Sequence, residues 1–203
     1  MFSIIKAAGW PIWPLIIASV IALAIIAERF WSLRSSAVAP KNLLSRTVQE
    51  YRQNGTSPAS LAKLAEGSPL GQVFAAGIKN IKSSPVVLKE SIEESGRASA
   101  ANLERFLTTL GTIAAVAPLL GLFGTVIGMI EIFGSSSPSG NTNPTQLAHG
   151  ISVALYNTAF GLVVAIPSMI FYRHFRHTVD TLLLDMEMQA TKLVEILQGE
   201  RQQ

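Results

Sequence analysis

The sequence contains no cysteine and has few charged residues for its length. The lack of cysteine excludes disulfide bonds, thiolate metal sites and a cysteine nucleophile, so helix packing and association must hold the structure together. Only 14% of the 203 residues are charged, whereas 49% are hydrophobic. This balance is unusual for a water-soluble protein and predicts an integral membrane protein.

Several motifs of catalytic and binding proteins are also missing. There is no Gly-x-Ser-x-Gly, no Walker-type phosphate loop and no His-Glu-x-x-His, so we expect no enzymatic activity and no cofactor. His174 and His177 share a helix face, but they adjoin Arg173 and Arg176, and we interpret them as part of a basic belt rather than metal ligands. The net charge of +3 comes without an aromatic and basic stripe, so no nucleic-acid partner is expected.

Three apolar runs are present, and each is long enough to cross a bilayer, which needs about 20 residues. They cover about 10–28, 108–133 and 150–172. Trp10, Trp13 and Trp31 flank the first run, as interfacial anchors do. The sequence therefore predicts an all-α membrane protein with three transmembrane helices.

The distribution of basic residues predicts the orientation in the membrane. Of the 16 Lys and Arg, 11 lie between residues 29 and 105 and four follow Tyr172, while Lys6 alone precedes the first span. The positive-inside rule then places the amino terminus outside and the carboxyl terminus in the cytoplasm. The alternative is a signal peptide cleaved near Ala22-Leu23-Ala24, but cleavage there would move the basic residues after Tyr172 to the wrong side.

These observations divide the chain into six predicted segments. They are an amino-terminal segment with the first span (1–28), a cytoplasmic helical region (29–105), the second span (106–133), a turn-rich outer loop (134–149), the third span (150–172) and a cytoplasmic carboxyl-terminal helix (173–203). We expect long helical extensions of the spans to form a bundle in the cytoplasm.

Serine-proline steps mark three helix starts in the cytoplasmic region, because serine caps a helix and proline fits its first turn. These steps are Ser57-Pro58, Ser68-Pro69 and Ser84-Pro85. An earlier helix is predicted over about 42–53. No proline follows Pro85 until Pro118, so we expect one helix over about 85–133, roughly 70 Å long. Helical periodicity also continues over 173–197.

Two threonines are the main candidates for a site inside the membrane. Thr125 lies eight residues before Phe133, and Thr158 lies eight residues after Gly150. At about 1.5 Å per residue, both hydroxyls sit roughly 12 Å below the outer boundary and could form a ring at one depth. The alternative is that each hydroxyl only bonds a carbonyl one turn earlier in its own helix. Asn157 and Tyr156 are secondary polar candidates.

Small residues and prolines surround these threonines. Gly121, Gly124 and Gly128 share a helix face with Thr125 and permit close helix approach, whereas Pro118 and Pro167 each free a backbone carbonyl. No titratable side chain lies near the centre of any predicted span. Because a proton relay needs such a group at depth, any acid must come from a partner.

Extended stretches of the second and third spans resemble one known family. They are 110–114, 117–129, 150–155 and 158–167, including Gly-Leu-Phe-Gly-Thr-Val at 121–126 and Ala-Ile-Pro at 165–167. These residues resemble the MotA/TolQ/ExbB proton-channel family, and the ExbB branch is the most similar. The strong similarity covers about 105–173.

The resemblance implies a homopentamer in the bacterial inner membrane, surrounded by lipid and enclosing a dimer of an ExbD-like single-span protein. That assembly would use the proton-motive force to drive a TonB-like protein, so that outer-membrane receptors import siderophores or cobalamin. The resemblance further implies that Thr125 and Thr158 line the central pore and that the partner supplies a buried aspartate. Many family members carry glutamate where this sequence has Val153. A TolQ-like role in envelope maintenance and a non-conducting scaffold are the alternatives.

Overall fold

The computed structural model describes residues 9–55, 57–135 and 144–198. Within these ranges the chain is built from eight α-helices. They are α1 (Ile12–Ser32), α2 (Ser35–Val38), α3 (Leu43–Asn54), α4 (Pro58–Gly67), α5 (Pro69–Lys79), α6 (Pro85–Leu103), α7 (Leu107–Ser135) and α8 (Pro144–Gln198).

The three predicted spans are confirmed as helices. Among the described residues, three helical stretches are long and apolar enough to cross a membrane: Ile12–Ser32, Leu107–Gly134 and Gly150–Gln198. The first extends four residues beyond its predicted end at 28. Each has many exposed apolar side chains, as expected for helices that contact lipid or other helices instead of water.

Helix α8 corrects the predicted outer loop over 134–149. Helix α7 runs to Ser135 and α8 begins at Pro144, so both helices extend into the predicted loop, and its residues 136–143 lie outside the described residues. Proline fits the first turn of a helix because its missing N–H would have no partner there. At its other end α8 continues to Gln198, which confirms the predicted helical extension of the third span.

The single helix predicted over 85–133 is wrong. Helix α6 ends at Leu103 and α7 begins at Leu107, with Phe106 between them at a φ of 64°. An L-amino acid with a large side chain rarely adopts this left-handed conformation, and no helix can pass through it. The break lacks proline and glycine, which is why the sequence did not reveal it.

The serine-proline steps do begin helices, and α3 lies within one residue of its predicted range. The Ser68 hydroxyl accepts the amide of Gly71 at 3.1 Å, and Ser84 accepts that of Val87 at 3.4 Å. Ser57 precedes α4 in an extended conformation but makes no side-chain capping bond. All three serines therefore have an extended backbone before a helix, but only Ser68 and Ser84 stabilise that helix with a capping hydrogen bond.

This difference gives a paired prediction. Ser68→Ala should destabilise the protein by about 1 kcal/mol, because it leaves a buried amide at the start of α5 without its capping oxygen. Ser57→Ala is the matched control, and it should leave the stability nearly unchanged since no capping bond is lost. Thermal unfolding of the two variants, followed by circular dichroism, would measure the difference. Equal melting temperatures would contradict the prediction.

The chain folds into two compact units. The first comprises the described residues of Met1–Glu28 and Phe106–His174. Its core joins α1, α7 and α8 through Leu15, Ala117, Val164 and Ala165, with partly buried apolar side chains packed around them. Trp10 meets Phe123 edge to face, with ring centroids 6.1 Å apart. Packing among these three helices, rather than any single pair, positions the polar residues of α7 and α8.

The second unit comprises Arg29–Arg105 and the described residues of Phe175–Gln203. Its core draws on α5 and on the carboxyl-terminal half of α8, which buries a stripe of residues at helical spacing. These residues are Val179, Leu182, Met186, Ala190 and Leu193. Phe175 packs edge to face against Phe30, with ring centroids 5.1 Å apart. This unit is the helical bundle that the periodicity predicted.

Candidate functional site

Helices α7 and α8 run antiparallel and approach each other closely at two glycines. A Cβ atom placed on Gly121 would lie 2.8 Å from the carbonyl oxygen of Asn157 and 3.1 Å from the Cα of Thr158. A Cβ atom on Gly161 would lie 2.7 Å from the carbonyl oxygen of Ala117. Real Cβ atoms essentially never make such contacts, so only glycine lets the two backbones touch here.

The other glycines of the α7 face continue this contact. Gly124 faces the side chain of Asn157, and a methyl group in its place would overlap that side chain. Gly128 lies near Ala154, where an added Cβ atom would be 3.4 Å from the alanine methyl. The contact therefore tightens towards Gly121, where the two threonines also meet.

The hydroxyl groups of Thr125 and Thr158 are adjacent, with 3.4 Å between their Oγ1 atoms. Both hydroxyl oxygens also lie 3.4 Å from the carbonyl oxygen of Gly121, and the Thr125 hydroxyl has a nearer acceptor in the carbonyl of Leu122, at 2.5 Å. Each hydroxyl can donate one hydrogen bond and accept two. Two hydroxyls and a carbonyl thus form a small polar cluster, here called the hydroxyl cluster, between apolar helices.

The alternative, that each threonine hydroxyl only bonds a carbonyl of its own helix, holds in part for Thr125 and does not hold for Thr158. Thr125 bonds carbonyls of its own helix as well as facing Thr158, whereas the Thr158 hydroxyl bonds a carbonyl of the neighbouring helix. Thr112, also on α7, shows the purely intrahelical pattern, since its hydroxyl donates to the Thr108 carbonyl at 2.8 Å. Thr158 therefore links the two helices, whereas Thr112 does not.

The two secondary candidates differ in position. Asn157 is fully buried against α7, and its side-chain nitrogen donates to the carbonyl of Val153 at 3.1 Å. Tyr156 is 39% exposed and lies on another face of α8. Asn157 therefore packs between α7 and α8 beside the hydroxyl cluster, whereas the Tyr156 side chain is accessible to a neighbouring subunit or to lipid.

Both predicted prolines lie inside their helices. Pro118 is half-buried in α7, one turn before Gly121, and Pro167 is exposed in α8. Next to Pro167, the buried hydroxyl of Ser168 donates to the carbonyl of Val164 at 2.7 Å. Neither proline contributes a polar side chain to the hydroxyl cluster.

An open groove of about 530 Å³ lies along α7 beside Thr125. Its lining is apolar apart from the Thr125 hydroxyl. It is formed by Leu122, Thr125, Val126, Met129, Ile130, Phe133 and Gly134. The hydroxyl cluster is thus reachable from the surface of this unit along an apolar path.

Two further contacts in the structure have no recognisable signal in the sequence. Tyr172 packs on Gly111, where a Cβ atom would lie 3.0 Å from its ring. Arg29 is 5% exposed, and its guanidinium donates to the carbonyl of Leu103 at 3.0 Å. A lone arginine at the end of an apolar run is usually an interfacial residue, so no sequence signal distinguished Arg29 from the other basic residues.

The match to a family model settles the resemblance. The model described as the MotA/TolQ/ExbB proton channel family matches residues 65–188, more than half of the chain. The chain belongs to this family. The matched region contains all of α7, most of α8 and every residue of the hydroxyl cluster. The predicted membership is therefore confirmed, and this protein is a subunit of the proton-channel type.

Individual members of the family show the same relationship. The chain is 35% identical over 169 residues to the biopolymer transport protein ExbB-like 3 of Synechocystis, covering 80% of this chain and 79% of that protein. It is 33% identical over 176 residues to biopolymer transport protein exbB1 of Vibrio cholerae, covering 79% and 72%. The Tol-Pal system protein TolQ of Pseudomonas aeruginosa is 32% identical over 165 residues, covering 76% of this chain and 64% of TolQ.

Proposed function

We propose that this protein is the multi-span subunit of a motor driven by the proton-motive force in the bacterial inner membrane. The observation that carries the proposal is the hydroxyl cluster, in which Thr125 and Thr158 lie 3.4 Å apart between two apolar helices. Polar side chains within membrane helices are costly without a polar partner, and they mark ion and proton pathways in membrane proteins. In this proposal the two threonines line the proton pathway.

The proton itself is carried by a carboxylate of the partner. Val153 occupies the position where many family members have glutamate, and no acid lies in the middle of α7 or α8. The apolar groove beside Thr125 suits a single apolar helix that would bring an acidic side chain to the cluster. Protonation of that acid removes its charge and lets the partner helix move past the apolar wall.

The proposed assembly is a homopentamer around a dimer of an ExbD-like single-span protein, acting on a TonB-like protein. Support comes from the family resemblance and from the exposed apolar residues of α7 and α8, which require lipid or neighbouring subunits. The charge distribution supports an amino terminus in the periplasm and a carboxyl terminus in the cytoplasm.

The energy of each step limits how this motor works. One proton crossing 100 mV releases about 2.3 kcal/mol. That energy biases a conformational step by less than two orders of magnitude in an equilibrium constant, since about 1.4 kcal/mol corresponds to tenfold. Useful work on a distant receptor therefore requires repeated proton transfers.

We infer that the output is TonB-dependent import of siderophores or cobalamin, as in ExbB proteins. A TolQ-like role in envelope maintenance is the second candidate, because a TolQ protein is among the relatives. The two roles predict that the chain restores different properties to cells that lack the native complexes. We expect this chain, together with its single-span partner, to restore growth on siderophore-bound iron in cells that lack both native energising complexes.

Detergent resistance of the same cells measures the TolQ-like role. Restored growth on iron without restored detergent resistance would support the import role, and the reverse pattern would replace it by envelope maintenance. A strain that carries the partner alone is the control. Rescue of neither property, with both proteins present at normal levels in the membrane, would contradict both roles.

A further inference from the structure

A groove lies within the second compact unit, between α6 and the carboxyl-terminal half of α8. Its volume is about 380 Å³, which is in the range of pockets that hold a ligand or the side chains of a partner. Its apolar lining comes from Val73, Ile92, Ala100, Leu183, Met186 and Ala190. Three of these residues, Val73, Met186 and Ala190, are buried and form the floor of this surface, here called the α6–α8 groove.

Gly96 also lines the groove, one helical turn from Ile92 and from Ala100. Glycine destabilises the middle of a helix relative to alanine, so its place in α6 needs a reason. At Gly71 a Cβ atom would overlap the carbonyl of Leu64, and at Gly77 it would lie 3.4 Å from the side chain of Ile92. At Gly96 it would meet no atom of the described chain within 4 Å. Gly96 therefore leaves space in the groove that no described residue fills.

The two helices that form the groove are acidic, although the chain as a whole is basic. Helix α6 and residues 175–198 of α8 together carry seven Asp and Glu against four Lys and Arg, a net charge of −3 with His177 neutral. The whole chain has a net charge of +3. A partner that approaches the groove thus meets a negative surface, which attracts basic groups and repels acidic ones.

Acidic side chains stand on both sides of the groove. Glu93 of α6 and Glu187 of α8 line it and are exposed. Glu93 lies 3.7 Å from Lys89 and 3.9 Å from Arg97, both on its own helix and both exposed. Ion pairs of this kind contribute little, because water screens them. Both carboxylates can therefore accept a cation from a partner.

We propose that the α6–α8 groove docks an amphipathic helix of another protein, whose apolar face enters the groove and whose Lys and Arg side chains pair with the acidic rim. Helices bind such grooves through apolar residues one turn apart. The distance of closest approach depends on the side chains at the contact, and Gly96 provides the room. A nucleic acid or an anionic membrane surface would be repelled by the same carboxylates.

The lack of cysteine gives a direct test, because a single introduced thiol is unique in the chain. Ala100→Cys places that thiol in the groove, and Ala98→Cys is the matched control, since Ala98 is exposed on the same helix but does not line the groove. The probe is a synthetic amphipathic peptide of about 18 residues, long enough to form a helix, with leucine on one face and lysine on the other. The measurement is the rate of maleimide labelling in the full-length protein, held in phosphatidylcholine nanodiscs.

We expect the lysine peptide to slow labelling of Ala100→Cys by about tenfold at ten times its Kd, since only about one tenth of the grooves then remain free. Labelling of Ala98→Cys should not change. The same peptide with glutamate in place of lysine should protect neither thiol. Equal protection at the two positions, or equal protection by the two peptides, would overturn the proposal.

Gly96→Leu separates docking from folding. Leucine favours helix more than glycine does, and its Cβ atom has open space, so the melting temperature should not fall. The leucine side chain would fill the groove, and the lysine peptide should then no longer protect Ala100→Cys. Unchanged protection in Gly96→Leu would overturn the proposal. Slower labelling of Ala100→Cys without peptide, as the concentration of the protein itself rises, would overturn it too and assign the groove to a second copy of this chain.

Discussion

Thr158→Val is expected to lower proton-driven uptake by about tenfold or more, the factor that a barrier increase of roughly 1.4 kcal/mol produces. Valine keeps the shape of threonine but removes the hydroxyl, and with it the bonds to Thr125 and to the carbonyl of Gly121. Stability should change little, because the site remains filled and the lost bonds are long. The measurement is growth on siderophore-bound iron at equal levels of assembled complex.

Thr112→Val is the matched control for this substitution. It removes a hydroxyl from the same pair of membrane helices, but that hydroxyl bonds only within α7 and is exposed. We expect normal uptake from this variant. Normal uptake from Thr158→Val as well, with the complex assembled, would instead favour a non-conducting scaffold in which the threonines serve packing alone.

The sequence predicted that the two threonines lie at one depth, because the number of residues from the end of a helical span gives the depth of a side chain in the membrane. Thr125 and Thr158 each lie eight residues from the outer end of a span, so antiparallel packing brings them to one level. Depth does not determine which way a side chain points around the helix axis. The bond from Thr158 to Gly121 depends on that rotation, which the packing of α7 against α8 sets.

Some features of the fold also follow from local sequence signals, whereas others do not. Apolar runs and serine-proline steps are local signals, and they located the spans and the starts of α4, α5 and α6. The break at Phe106 has no such local signal, because no proline or glycine lies between α6 and α7, where Phe106 has a φ of 64°. The early start of α8 at Pro144 was missed because proline after turn-forming residues suggests a loop equally well.

The close contact at Gly121 leads to the second large effect. Gly121→Ala should destabilise the packing of α7 against α8 by about 1–3 kcal/mol, the usual cost of overpacking. The new methyl group would meet the backbone carbonyl of Asn157 at 2.8 Å and the Cα of Thr158 at 3.1 Å. Backbone atoms cannot rotate away as a flexible side chain can, so the helices must separate.

That separation would also open the hydroxyl cluster, because the carbonyl of Gly121 lies 3.4 Å from both threonine hydroxyls. We therefore expect Gly121→Ala to lower both the melting temperature and the uptake, whereas Thr158→Val should lower uptake alone. Gly134→Ala is the control for the melting temperature on the same helix, since a Cβ atom there meets nothing within 4 Å. If Gly121→Ala were as stable as Gly134→Ala, the helices would not be in backbone contact, and the cluster would need another explanation for its geometry.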